Sequence, residues 1–164
     1  MSTETPSSFL SDYELSVASE LAWMIGASAI AHLIYAMSSS VDVAALCAAL
    51  DSLAEDDRSR VPLLIELLTL EGHERHEDIV FDLGHFGDPA AIPAIAEAAE
   101  KTFQYMVRWQ NLHEFQRKCA YALARIGTPE SCKVLEHLAQ HADPHLREYG
   151  REGLSNWPMP FARS

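Results

Sequence analysis

Three His-Glu steps stand out among the residues that could do chemistry: His73-Glu74, His76-Glu77 and His113-Glu114. An imidazole beside a carboxylate offers two metal-ligand types at one place in the chain. The first and third steps lie forty residues apart, at matching places of two segments with a similar pattern. The middle step does not recur, because its counterparts are Gln116-Arg117 and, in a third segment, Arg147-Glu148. An arginine in such a shell would oppose a bound cation. A second grouping, His137 and His141, stands at i and i+4 on one helix face, a spacing that suits two zinc ligands. Pro144 interrupts the helix before His145, and the competing reading of all three is a polar outer helix face. No G-x-S-x-G, P-loop or G-x-G-x-x-G occurs. Cys119 and Cys132 lie on apolar helix faces, where a thiol packs rather than reacts. The reading is therefore no catalytic residue, no metal and no cofactor.

Charged and aromatic residues say more. Glu74, Asp78 and Asp82 follow one another at i, i+4 and i+8, with His85 one turn on. Like charges so spaced cost an isolated helix about 0.2–0.5 kcal/mol per pair. The aligned residues forty positions later are Glu114, Lys118, Ala122 and Arg125, so an acidic ridge faces a basic one. The two ridges either form a contact surface or pair with each other as solvated salt bridges. Between them lies an aromatic-rich insert, Glu100 to Phe115. Phe103, Met106 and Gln110 fall at core-stripe spacing, which leaves Tyr105, Arg108 and Trp109 as the exposed set.

These residues must be carried by helices. Ser11-Asp12-Tyr13-Glu14 has the form of a capping box, and apolar positions recur at helical spacing from Leu15 to Ile25. Further helices are expected over Val41 to Leu53, Val61 to Leu70, His76 to Phe86 and Ala90 to Ala99. Ile79, Val80, Leu83 and Phe86 should face inward, followed by a Gly87 C-cap, an Asp88 N-cap and Pro89 at the first helical position. Forty residues on, the arrangement returns with Cys119, Tyr121, Leu123, Ile126 and Gly127-Thr128-Pro129. A third, partial unit starts at Asp143-Pro144, with Leu154 matching Leu123 at a spacing of 31 residues. The insert should either extend an outer helix or protrude as a loop.

The segments HEDIVFDLGHFGDPAAIPAIAEAA and RKCAYALARIGTPESCKVLEHLAQHADPHLREYGREGL resemble HEAT-like repeats of the short bacterial kind, the type described in phycocyanobilin lyase subunits. The resemblance covers roughly residues 60–157 and implies an all-α solenoid whose inner helices line a concave binding surface. Residues 1–59 are then N-terminal capping helices and residues 158–164 a tail, all within a single domain. The order of motifs is also similar to stand-alone bacterial HEAT proteins, some of which serve as immunity proteins for polymorphic toxins. LTLEGHERHEDIVFDLGHFGDP resembles a His-Glu motif of deoxyhypusine hydroxylase, a HEAT-repeat di-iron enzyme, although the failure at Gln116-Arg117 breaks the symmetric ligand set.

Composition bounds the function. The 164 residues are 48% hydrophobic and 22% charged, which suits a packed domain. Residues 1–100 hold 18 acids and 3 bases, residues 101–164 hold 6 and 9, and the balances of −15 and +3 sum to −12. So acidic a front half argues against nucleic acid and suits a basic partner. Three cysteines without disulfide or zinc-finger spacing, and an N-terminal stretch without a basic leader, point to a reducing cytoplasm. Leu21 to Met37 is apolar but short of the roughly 20 residues a spanning helix needs, so no membrane is expected. The expectation is a non-enzymatic protein that binds a protein partner, in particular an immunity protein masking a toxin domain with a basic surface. The alternatives are a metal-dependent hydroxylase-like or bilin-lyase-like enzyme, and a scaffold or chaperone for a host protein.

Overall fold

A computed structural model of the protein describes residues 42–159. The capping box at Ser11, the Leu15–Ile25 periodicity, the apolar run Leu21–Met37, most of the N-terminal capping segment and residues 160–164 lie outside the described residues. Among the described residues the structure is entirely helical. Its helices are α1 (Val43–Asp51), α2 (Arg60–Thr69), α3 (His76–Phe86), α4 (Ile92–Glu100), α5 (Gln104–Trp109), α6 (Leu112–Ile126), α7 (Pro129–Leu138) and α8 (Pro144–Asn156). None of them is long and apolar enough to cross a membrane.

The helices stack in two rows. α3, α6 and α8 pack side by side, α2, α4 and α7 follow behind them, and α1 rests on α2. This is a helical-repeat solenoid. Its repeating joint is built from caps. Gly87 and Gly127 end α3 and α6 in the left-handed conformation, with φ of 62° and 68°, which costs glycine little and other residues more. The next residue then caps the following helical turn. The Asp88 carboxylate accepts from the Ala90 N–H at 3.0 Å, and Thr128 and Ser131 cap each other's backbone. Asp143 repeats the device at α8, accepting from His145 and Leu146. Pro89, Pro129 and Pro144 each sit in the first turn, where the missing N–H leaves no intrahelical bond unmade.

The core runs between the rows. Leu64, Leu67, Leu68, Val80, Leu83, Ile95, Leu123 and Leu135 are fully buried. Burying a leucine-sized side chain contributes about 1.5–3 kcal/mol. Small residues let the helices close up: a methyl group added to Gly84 would lie 3.0 Å from the Ala122 backbone within the front row, and one on Gly150 would strike the Leu138 carbonyl carbon of α7 behind it at 2.6 Å. Leu154, matched to Leu123 in sequence, is only partly buried, while neighbouring Gly153 packs against Leu135 and Ala120.

The insert is neither a longer outer helix nor a loop. Lys101 ends α4 in extended backbone, and Phe103 then drops into the core at 1% exposure, edge-on to Phe115 and tilted against His76. The short helix α5 follows. Met106 is buried as its spacing predicts, but Gln110 is exposed and takes the left-handed conformation (φ 60°) that ends α5. A residue that terminates a helix leaves its stripe, so the core stripe stops at Met106.

Candidate functional site

The exposed face of α3 and α6 holds a cleft of about 490 Å³, with Asp78 and Phe81 on one wall and Glu114, Lys118, Tyr121 and Arg125 on the other. Helical phase explains the first wall. Ile79, Val80 and Leu83 point inward, which turns residues 78 and 81 together toward the cleft. Phe81 is 53% exposed, an aromatic ring on an otherwise polar face.

The bases of the cleft are already engaged. Lys118 donates to Glu77 across the α3–α6 seam at 2.9 Å. Arg117 reaches Glu152 on α8, donating through Nε at 2.9 Å, and Tyr121 donates its hydroxyl to the same carboxylate at 2.8 Å. Arg117 thereby holds the Glu152 carboxyl below the usual range. Arg125 lies over the Phe81 ring at 5.4 Å, within cation–π reach. Asp78 and Glu114, by contrast, make no ion pair among the described residues. The cleft therefore presents unspent negative charge around an exposed ring.

The predicted ridge divides into residues with different jobs. Asp82 does not join the cleft: it pairs at 3.1 Å with Arg60, a cation only 8% exposed. Arg60 also donates to the Leu50 and Leu53 carbonyls at 3.2 and 3.3 Å, so it ties α2 to α1 and α3. Glu74 lies in the turn before α3 rather than on the helix. His85 is exposed in the last turn, edge-on to Phe86. Lys118 and Arg125 do line the cleft with Asp78. Sequence reasoning did not assign Phe81, Glu77, Arg60 or the Arg117–Glu152–Tyr121 group to a binding face; it weighed Glu77 only as half of a metal-ligand step and Arg117 only as the break in that pattern. Of these, only Phe81 carried a readable signal, its phase among polar residues.

A second hollow, of about 240 Å³, opens where α5 meets the start of α3 and includes Glu74, Glu77, Tyr105 and Trp109. Trp109 is 63% exposed and Arg108 is exposed beside it. Tyr105 is not fully exposed as its stripe suggested. It is half-buried, because its hydroxyl donates to His76 Nδ1 at 2.9 Å.

That bond bears on the middle His-Glu step. His76 is fully buried, and its Nε2 lies 2.8 Å from the Leu70 carbonyl oxygen. A carbonyl only accepts, so Nε2 carries the proton and Nδ1 accepts from Tyr105. Burial pushes the His76 pKa down to about 4 and that of Tyr105 up to about 12. His73 stacks on His76 at 4.2 Å and is fixed alike, with Nε2 on the Leu67 carbonyl and Nδ1 accepting from the Arg75 N–H. The His113 ring lies tilted against His145 at 4.1 Å, which separates His145 from its sequence companions. His137 and His141 face Glu100 instead, at 3.5 and 3.9 Å. Among the described residues no three His, Cys, Asp or Glu side chains are arranged to hold a metal ion. Cys119 is fully buried and its thiol pKa is raised by that burial, whereas Cys47 and Cys132 are half-buried.

Comparison with known proteins agrees with this architecture. The PBS lyase HEAT-like repeat family matches residues 77–101, the span of α3, the capped turn and α4. No curated protein and no solved structure matches the chain.

Proposed function

We propose that this chain is a non-catalytic binding protein that holds a basic protein partner on the α3–α6 face, and that its role is that of an immunity protein masking a toxin domain. One observation carries the reading. Asp78 and Glu114 flank an exposed Phe81 and make no ion pair among the described residues, while Lys118, Arg117 and Arg125 are already engaged. Such a face attracts cations and offers a ring for apolar contact, a pairing that steers association and fixes register. HEAT-like repeats commonly mediate protein interactions, and the −15 balance of residues 1–100 adds a long-range field of the same sign.

The test is co-expression with the products of the neighbouring reading frames. A frame that is toxic alone and harmless beside this chain identifies the partner. Asp78→Lys then weakens the purified complex by roughly tenfold at low ionic strength, and the difference shrinks as salt screens it. A complex indifferent to both Asp78→Lys and Phe81→Ala sinks the assignment of this face. A bound neighbour that is harmless alone makes the chain a scaffold rather than an immunity protein.

A further inference from the structure

We infer that the hollow between α5 and the start of α3 is a receptor for one arginine side chain of the protein partner. The inference rests on the protein-binding reading above and adds a specificity element to it. Its walls are of two kinds. Glu74 and Glu77 supply carboxylates, and Tyr105 and Trp109 supply aromatic rings over a buried Met106. Carboxylates alone would take any cation. Carboxylates combined with an indole select a planar, weakly hydrated one, because a guanidinium stacks on the ring while its N–H groups fork onto oxygen.

The site is held in shape. The Tyr105 hydroxyl is tied to buried His76, which fixes its ring at the wall. Gln110 ends α5 in the left-handed conformation directly after Trp109. Trp109 therefore sits on the last residue of a short helix whose Met106 is anchored in the core. Its exposure of 63% is the largest among the exposed large hydrophobic side chains of the described residues. Glu77 spends one oxygen on Lys118, but Glu74 makes no ion pair among the described residues. One carboxylate of the hollow thus remains open for an incoming cation. The hollow and the α3–α6 cleft share Glu77, so an arginine seated here would anchor a basic segment that continues past Asp78 and Phe81.

The experiment compares octa-arginine and octa-lysine peptides, titrated into the full-length protein at one low ionic strength by calorimetry. Wild type should bind the arginine peptide roughly two- to fivefold more tightly, the size of an exposed cation–π contact. Trp109→Leu keeps an apolar side chain but removes the indole, and should bring the ratio to about one with the lysine affinity unchanged. Asp78→Lys should weaken both peptides alike. A wild-type ratio of one, or a ratio that survives Trp109→Leu, overturns the arginine receptor and leaves the cleft reading standing. Insensitivity of both peptides to Asp78→Lys overturns the cleft, while the Trp109→Leu comparison still decides the receptor. Failure of both peptides to bind overturns both.

Discussion

His76 should make the stability of this protein fall on mild acidification, because the native state holds the ring neutral. It is fully buried, donates to the Leu70 carbonyl at 2.8 Å and accepts from Tyr105 at 2.9 Å. Protonation would turn Nδ1 into a donor, so the Tyr105 hydroxyl could no longer donate to it, and would place a cation beside His73 and Lys101, both of which oppose it. The sign follows from linkage. The native pKa, about 4, lies below the ordinary value of 6.5, so between these pH values the unfolded chain binds more protons and stability rises with pH. The contribution is complete above pH 6.5 and is lost as pH falls toward 4; at about 1.4 kcal/mol per tenfold step it amounts to roughly 3 kcal/mol over the window. The assay is urea unfolding at several pH values from 7.5 to 4.5 for wild type and His76→Gln. Glutamine can bond either neighbour but cannot titrate. Asp51, Asp57, Asp143 and Glu152, whose pKa values are lowered in the native state, add losses of the same direction to both proteins. Only the difference between the two proteins belongs to His76. The wild-type curve should be the steeper below pH 6.5, and parallel curves would refute the neutral, doubly bonded imidazole.

Substitutions at Arg60, at Asp78 and Asp82, and at Gly87 and Gly150 test the architecture. Arg60→Met removes a buried cation from two backbone carbonyls and from Asp82, and should destabilise by about 2–3 kcal/mol in urea unfolding. Asp82→Ala should shift the midpoint the same way, whereas Asp78→Ala should leave it unchanged. Equal effects at Asp78 and Asp82 would contradict their division into surface and structural carboxylates. Gly150→Ala drives a methyl group into the Leu138 carbonyl carbon at 2.6 Å and should cost about 3 kcal/mol or more. Gly87→Ala meets nothing within 4 Å and should cost about 1 kcal/mol, from its φ of 62° alone. A denaturation series that ranks Gly87→Ala as the worse of the two would show that helix spacing is not set by Gly150.

The helices and their joints were legible because local chemistry writes them. Gly87-Asp88-Pro89 and Gly127-Thr128-Pro129 specify caps within three residues, and the structure places a left-handed glycine and an N-cap at both. The insert was less legible, since Phe103 and Met106 announce a buried stripe but nothing local announces that Gln110 turns left-handed. Charge was the least legible of all. Asp78 and Asp82 are equivalent by spacing, yet one faces the cleft and the other meets Arg60, a residue 22 positions away in sequence. No periodicity argument reaches a partner supplied by the previous helical pair. The structural role of His73 and His76 was hidden for the same reason, because the acceptors that fix them are backbone carbonyls at Leu67 and Leu70.

In a solenoid every front helix meets its neighbour across the same kind of seam, so differences between seams show where a partner could be accommodated. The α6–α8 seam is closed, with Arg117 and Tyr121 both committed to Glu152. The α3–α6 seam is bridged by Glu77 and Lys118, and Phe81 stands where the next repeat has Tyr121. A phenylalanine has no hydroxyl to commit to a neighbouring carboxylate; Phe81 is 53% exposed, and Asp78 near it makes no ion pair among the described residues. Where the next repeat has a tyrosine, the phenylalanine thus leaves an exposed ring on a seam that Glu77 and Lys118 bridge. Leaving a ring in water costs hydrophobic free energy that burial would recover. Docking of the partner proposed above would recover it.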